Sequence, residues 1–461
     1  MLTIQASGTE SLWDEILPAE VKALPDDLAR LDELLSDPAL LAPIGARWDR
    51  LLAETGASSG RGRPTIAMES YVRLMIVKHR SGWGYETLMR EVSDSLHLRR
   101  FCRIGMTERV PDESTVRKLT RRLGAEVVHE ITRELIQKAR REKRFRPRAA
   151  RIDSTVVEAD VRWPTDSGLA GDGVKALATE GRKLAARVAE KRTAVRDRSR
   201  AMGRKLRALT RTIRRRSGEA KREVLELTEQ TGQLLQASIK EARALAATAR
   251  RRARGRGAHA KLKAAKTLEE LADRCEKVCS QIRQRVAGEP IKDRLISLWD
   301  PDARPIRKGK LGRPTEFGYV DQLCEITANT KRGARGFILP PKTKLGNPAE
   351  NTLLPDTATE LKNLDITLKE IMLDGGFMPT PSNTALEDLA DTIHITGRQE
   401  TGSRRTRRRR QRYRTGAEGR ISHLKRGYGL DRSRLKGDTG HQIWAGWAAL
   451  SYNAETYTTL G

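Results

Sequence analysis

The stretch that most constrains the fold of this chain is Ile152–Val157, a short β-branched run that one acid, Asp153, interrupts. Such a run, followed by a Trp-Pro-Thr-Asp turn, predicts a β-strand. Side chains alternate faces along a strand, so Asp153 shares a face with Thr155 and Val157. A carboxylate on a half-buried strand is costly unless a cation or a metal compensates it. The run therefore predicts either a charged functional site or, more plainly, an edge acid held by a nearby arginine.

The charge balance of the chain indicates a polyanionic partner. Its 461 residues include 89 Lys and Arg against 60 Asp and Glu, a net charge of +29. This excess favours nucleic acid, although ribosomal and membrane-surface proteins share it. Aromatic residues make up 4%, so phosphate contacts should outweigh base stacking. We find no apolar run of 18 residues, no signal peptide and few cysteines, and we expect a cytoplasmic, nucleoid-associated protein that does not enter the membrane.

Shifts in composition predict five segments along the chain. They are an N-terminal helical segment (1–60), a helical DNA-binding domain (61–140), the first part of a catalytic domain (141–173), a basic helical insertion (174–290) and the remainder of the catalytic domain (291–461).

The segment 61–140 has the pattern of several short helices with one basic face. A helix that starts after Pro111 carries Arg117, Lys118 and Arg121 beside an apolar stripe. These cations are candidates for DNA contacts in a domain of the helix-turn-helix type. The alternative is an ordinary helical domain whose basic face is solvated.

The insertion contains more than half of the net charge. Residues 181–260 hold 24 Lys and Arg against 7 Asp and Glu, a local excess of 17, and there is no proline between residues 174 and 289. Its apolar stripe predicts an antiparallel, coiled-coil-like helical hairpin with a turn near Arg215–Gly218 or near Arg254–Gly257. We interpret this hairpin as an electrostatic arm along a DNA backbone, and the alternative is a solvated basic surface.

Two further acids follow the insertion. Ile366–Leu373 predicts a strand that ends in Asp374 and two glycines, and α/β folds place their chemistry at such strand ends. Glu418 lies in a basic helix, just after eight arginines in residues 404–414. Together with Asp153 these acids supply the oxygen ligands that two divalent ions would share. Plain salt bridges around Glu418 are the alternative.

These three acids occur in sequences that resemble the DDE-class insertion-sequence transposases of bacteria, close to the ISNCY group. The matching stretches are GRPTIAMESYVRLMIVKHRSGWGYETLMREV, VPDESTVRKL, RIDSTVVEADVRWPTDS, LDGGF and RTGAEGRISHLKRGYGL. The resemblance implies an α/β fold, with a ribonuclease-H-like mixed sheet preceded by an all-helical domain and split by the long basic insertion. It also implies that Asp153, Asp374 and Glu418 form the catalytic, metal-binding triad.

The family signature around the glutamate is a Tyr, two residues, an Arg, three residues, the Glu, six residues and a Lys. Arg414, Glu418 and Lys425 match this spacing. Gln411 stands where the family has its Tyr, and Tyr413 is nearby.

The resemblance implies a transposase that cleaves DNA and transfers the cut strand, with two Mg²⁺ or Mn²⁺ ions as cofactors. We expect Arg412, Arg414, Arg420 and Lys425 to contact DNA phosphates. The implied partners are double-stranded DNA, at the element ends and the target, and at least one further copy of the chain in a synaptic complex. The alternatives are a catalytically inactive DNA-binding protein and a metal-dependent nuclease without strand transfer.

Overall fold

A computed structural model describes residues 2–6, 16–56, 64–188, 194–215, 217–307, 315–378, 380–398 and 400–460. The chain divides into two compact units. The first comprises Met1–Asp160 and Gly318–Gly461, and the second comprises Val161–Phe317. The predicted insertion 174–290 thus falls within the second unit.

The helices and strands are as follows. The helices are α1 (Ala19–Lys22), α2 (Asp26–Leu35), α3 (Ala42–Thr55), α4 (Met68–Ser81), α5 (Tyr85–Asp94), α6 (Leu96–Phe101), α7 (Glu113–Arg141), α8 (Asp166–Arg187), α9 (Ser199–Thr212), α10 (Gly218–Arg251), α11 (Ala258–Val286), α12 (Leu354–Asn363), α13 (Arg404–Gly427) and α14 (Asp438–Thr459). The strands are β1 (Ala149–Ala159), β2 (Arg304–Ile306), β3 (Glu316–Thr327), β4 (Phe337–Ile338), β5 (Lys342–Lys344), β6 (Leu368–Leu373), β7 (Ala390–Ile395) and β8 (Arg432–Ser433). Short 3₁₀ turns span Pro38–Leu40, Glu350–Leu353 and Pro381–Leu389.

The sheet of the first unit is mixed and has β1 near its centre. β1 pairs antiparallel with β3 on one side and parallel with β6 on the other, and β7 continues the sheet parallel to β6. β4 and β5 pair with β3, and β8 pairs with the end of β1. The predicted strands around Asp153 and before Asp374 are therefore present, and the chain is a mixed α/β protein, as predicted.

One hydrophobic core in the first unit joins the N-terminal helices to the sheet. It extends from Leu28 of α2 through α4 and α7 to Ile152 of β1, and it reaches Tyr457 of α14. A turn separates α4 from α5: α4 ends at Gly82 with a φ of 67°, a left-handed value that glycine adopts without steric cost. None of the described helices combines the length and apolar character that a membrane span requires.

Among its described residues the second unit has four helices, α8 to α11, where a single hairpin was predicted. Both predicted turn regions do separate helices: α9 from α10 around residues 213–217, of which Arg216 lies outside the described residues, and α10 from α11 at residues 252–257. α8 already begins at Asp166, because the Thr165 hydroxyl accepts a hydrogen bond from the Gly168 amide and caps the helix. Side chains such as Leu235 and Leu271 are buried between these helices.

Candidate functional site

The two candidate aspartates belong to neighbouring parallel strands. Ile152 of β1 is the register partner of Leu373 of β6, and both side chains are fully buried. The next residue on each strand is an acid, Asp153 or Asp374. Because successive side chains alternate faces, both acids turn away from the face that Ile152 occupies. The sheet therefore brings together two residues that are 221 positions apart in the sequence.

Helix α13 carries two adjacent stripes of side chains with different surroundings. It begins after Ser403, whose hydroxyl accepts a hydrogen bond from the Thr406 amide. Arg414, Glu418 and Lys425 follow one another at intervals of four and seven residues, so they lie along one line of the helix surface. The residue before each of them is buried, and these three form the packed stripe: Tyr413, Ala417 and Leu424.

Arg414 connects two of the candidate acids. Its Nη1 lies 3.1 Å from Oδ1 of Asp374, and its Nη2 lies 3.1 Å from Oε1 of Glu418. The side chain of Arg414 is 11% exposed, whereas those of Asp374 and Glu418 are 43% and 63% exposed. A single cation thus compensates two acids that remain accessible to solvent and to ligands.

Asp153 faces the same helix. Arg151, two residues earlier and so on the same face of β1, donates from Nη1 to the Tyr413 carbonyl of α13 at 2.8 Å. Beyond Asp153 on the strand, the Val156 carbonyl accepts from Nζ of Lys425 at 2.6 Å. Asp153 itself is half-buried, and its Oδ1 accepts from the Ser154 amide at 2.7 Å. The strand thus contacts α13 on both sides of Asp153.

The carboxylates are not gathered around a common point. Among the described residues, no group of three or more His, Cys, Asp or Glu side chains has the geometry to hold one metal ion. Asp374 and Glu418 are instead held by Arg414. The chemistry of the donor set still fits divalent cations, since all three side chains are carboxylates and two of them share one positive charge.

A basic groove lies at the start of α13 and contains the candidate DNA contact Arg412. Its volume is about 1260 Å³, and seven of its lining residues are Lys or Arg. They are Lys331, Arg332, Arg404, Arg405, Arg408, Arg409 and Arg412. Lys331 and Arg332 are absent from the sequence-based candidates, although the basic turn Thr330-Lys-Arg-Gly after a strand could have suggested them. A groove of this charge and size suits a phosphate backbone.

The candidate Arg420 is largely engaged within the protein. Its Nε lies 3.0 Å from Oε1 of Glu325, and its guanidinium stacks on the ring of Tyr452. Glu325 also binds Arg151, so a buried network of two arginines and one glutamate ties α13 to β1 and β3. Contact of Arg420 with DNA stays a prediction.

The candidates in the N-terminal helices lie on the exposed side of α7. Arg117 pairs with Glu113 one turn earlier at 3.3 Å, and both side chains are partly exposed. Lys118 and Arg121 are exposed as well. Their accessibility is compatible with phosphate contacts, which stay a prediction.

Tyr413, the tyrosine nearest to the signature position, is a buried residue. Its hydroxyl lies 2.6 Å from Oγ1 of Thr327, its ring stacks under Arg151, and burial raises its pKa. Gln411 lines a small cavity together with Met372 and Arg414. Tyr413 is therefore a core residue, and Gln411 occupies the signature position beside Arg414.

The comparisons with known proteins bear on the N-terminal part of the chain. Residues 22–122 match the model of a family described as a transposase domain, DUF772. The match supports a transposase family for this chain. It covers α2 to α6 and the first part of α7, less than a quarter of the 461 residues, and it suggests an enzyme that acts on DNA. None of the curated proteins matches the chain, and no solved structure matches it.

Proposed function

We propose that this protein is a DDE-class DNA transposase with a ribonuclease-H-like catalytic core. The observation that carries the proposal is how the fold connects acids from three distant segments of the chain. Asp153 and Asp374 follow register partners on parallel strands, and Arg414 links Asp374 to Glu418. The transposase-domain match and the net charge of +29 support DNA as the substrate.

The proposed reaction has two phosphoryl-transfer steps. A water oxygen first bonds to the phosphorus at the element end and breaks its bond to the 3′ oxygen, which leaves a free 3′-OH and a 5′-phosphate. That hydroxyl then attacks a phosphodiester of the target, forming a new bond to phosphorus while the target strand is cut. At least two copies of the chain would have to meet in a synaptic complex to join both ends.

The three acids would hold the metal ions, and the basic residues would hold the DNA. Two Mg²⁺ or Mn²⁺ ions bound by Asp153, Asp374 and Glu418 would supply electrostatic stabilisation of the attacking and leaving oxygens. Arg414 would exchange its carboxylate partners for a phosphate near the cut. The basic groove around Arg412 would bind the backbone further along, and the charge of the second unit would add sequence-independent affinity.

The test is cleavage of labelled DNA that carries the sequences flanking the coding region, with Mg²⁺ or Mn²⁺. The variants are Asp374→Asn and Glu418→Gln, and the control is Asp391→Asn, an exposed acid on the next parallel strand. We expect each site variant to lose at least about 100-fold in cleavage at unchanged DNA affinity, and the control to cleave like the wild type.

The other outcomes separate the competing functions. Cleavage that persists in both site variants would place the chemistry elsewhere. DNA binding without cleavage by the wild type would indicate a non-catalytic DNA-binding protein. Cleavage without joining to a target duplex would indicate a nuclease.

A further inference from the structure

The first unit contains a basic cavity whose buried lysine, Lys78, has no role in the proposed reaction, although three of its exposed cations are candidate DNA contacts. It has a volume of about 400 Å³ and lies among α4, α5, α7 and the segment from β8 into α14. We call it the Lys78 pocket. Its basic lining residues are Lys78, Arg117, Lys118, Arg121, Arg434 and Lys436. Within the described part of the chain, no Asp or Glu lines it.

Lys78 forms the floor of this pocket. The residue is 1% exposed, and its Nζ lies 4.1 Å from the ring centroid of Trp444 and 4.8 Å from that of Tyr85. These cation–π contacts offset part of the cost of burying an ammonium group. Burial, aided by repulsion from Arg434, lowers the pKa of Lys78 to about 7. An apolar side chain would fill this space without that cost, so the amine points to a ligand.

The rim of the pocket is a ring of exposed cations. Arg117, Lys118 and Arg121 come from α7, and Arg434 and Lys436 come from the segment before α14. Among the described residues, one of these five has an ion pair, Arg117 with Glu113. Mutual repulsion around the rim is therefore largely uncompensated, and an anion that enters would relieve it.

We propose that the Lys78 pocket binds a phosphate group, with Lys78 as its central contact and the rim cations around it. Its volume also leaves room for part of the attached nucleotide beside the rings of Tyr85 and Trp444. We expect this phosphate to belong to DNA, and only that part of the inference rests on the proposed function. Free inorganic phosphate offers the same chemistry, and the test distinguishes the two sources.

The test measures binding of a fluorescently labelled DNA duplex by anisotropy, without divalent ions so that cleavage plays no part. The variants are Lys78→Met and Lys436→Gln, and the control is Arg90→Gln. Arg90 is 64% exposed on α5 and lies outside the pocket lining, so its loss removes the same charge elsewhere. Lys436 is exposed, so its variant reports on the pocket even if Lys78→Met fails to fold.

We expect both pocket variants to bind DNA roughly 3- to 10-fold more weakly near 0.1 M salt. The slope of log affinity against log salt should fall by about one for each lost phosphate contact. The control should keep the wild-type slope. Wild-type affinity and slope in both pocket variants would overturn DNA as the source.

Titration calorimetry with inorganic phosphate at constant ionic strength provides the second arm. If Lys78→Met abolishes phosphate binding but leaves DNA affinity unchanged, the pocket binds a free anion and DNA is not its ligand. Wild-type behaviour of both variants toward both probes would overturn the proposal. A wild type that binds DNA but never cleaves it would count against the proposed function and leave these binding results intact.

Discussion

Two clusters of acids and arginines, one in each unit, show how differently the same residue types are used. In the second unit Asp166 is 1% exposed and accepts bonds from Arg285, from Arg294 at 2.9 Å and from the Gln281 amide at 3.4 Å. In the first unit one guanidinium, that of Arg414, serves two acids that are about half exposed.

The difference lies in the ratio of donors to acids and in their access to solvent. Around Asp166 the donors outnumber the acid, and the carboxylate is enclosed, so the cluster acts as an anchor between helix α8 and the end of α11. Around Arg414 the acids outnumber the cation and keep open sites. A surplus of accessible carboxylate is what a metal site needs, whereas a saturated buried acid has no free oxygen to offer a ligand.

The largest expected effect tests the anchor. Asp166→Ala should lower the free energy of unfolding by about 2–4 kcal/mol, because it removes two charge-assisted hydrogen bonds, from Arg285 and Arg294, to an enclosed carboxylate. Asp172→Ala, on the same helix and with a single partly exposed partner, Arg162, should cost less than about 1 kcal/mol. Urea unfolding followed by circular dichroism measures both. Equal losses would remove the distinction between enclosed and open acids.

Glu360, a buried acid of the first unit, extends the comparison because its contribution to stability depends on pH. Glu360 is 2% exposed; burial alone would raise its pKa, but hydrogen bonds from Arg133 and Lys342 prevail and lower it to about 2. A carboxylate whose folded pKa is depressed contributes stability above its unfolded pKa of about 4.5 and loses it as the pH falls toward 2. The contribution is up to about 3 kcal/mol.

We therefore expect the stability difference between wild type and Glu360→Gln to be constant near neutral pH and to shrink below about pH 4.5. Unfolding free energies measured from pH 7 to pH 3 would show this. A difference that stays constant over the whole range would mean that the ion pairs of Glu360 do not set its stability contribution.

The smallest expected effect concerns two arginines on helix α13. Arg414→Gln should change the free energy of unfolding by less than about 1 kcal/mol, because both of its partners are well exposed. Arg420→Gln should cost about 1–3 kcal/mol, because Glu325 is 3% exposed and loses one of its donors. Urea unfolding of the two variants measures the pair. A larger loss for Arg414→Gln would make the Arg414 cluster another structural anchor.

Much of the local structure could be predicted from sequence patterns. The β-branched run around Asp153 and the strand before Asp374 both lie where the sequence pattern indicated. The prediction was less accurate in the insertion, where one hairpin was expected and the described residues form four helices. An apolar stripe shows that a helix packs, but it does not specify how many helices share the core.

The residues of the candidate site could be predicted from the sequence, but their ion-pair partners could not. The spacing of Arg414, Glu418 and Lys425 already aligned them on one helix face. Nothing in the sequence indicated that Arg414 would lie between Glu418 and Asp374, or that Arg420, equally basic, would be bound to Glu325. Asp374 follows β6 and Glu325 lies on β3, so in each case a partner comes from a segment far away in sequence.

The sequence by itself determined the strand that carries Asp153, the striping of α13 and the basic character of the protein, because these depend on side-chain periodicity and composition. The tertiary structure alone decided which charges are enclosed and which stay open. The register of β1 on β6 brings Asp153 and Asp374 to neighbouring positions, and the packing of α4 against α14 buries Lys78 between two rings. Burial and charge pairing depend on distance in space, and sequence separation does not encode that distance.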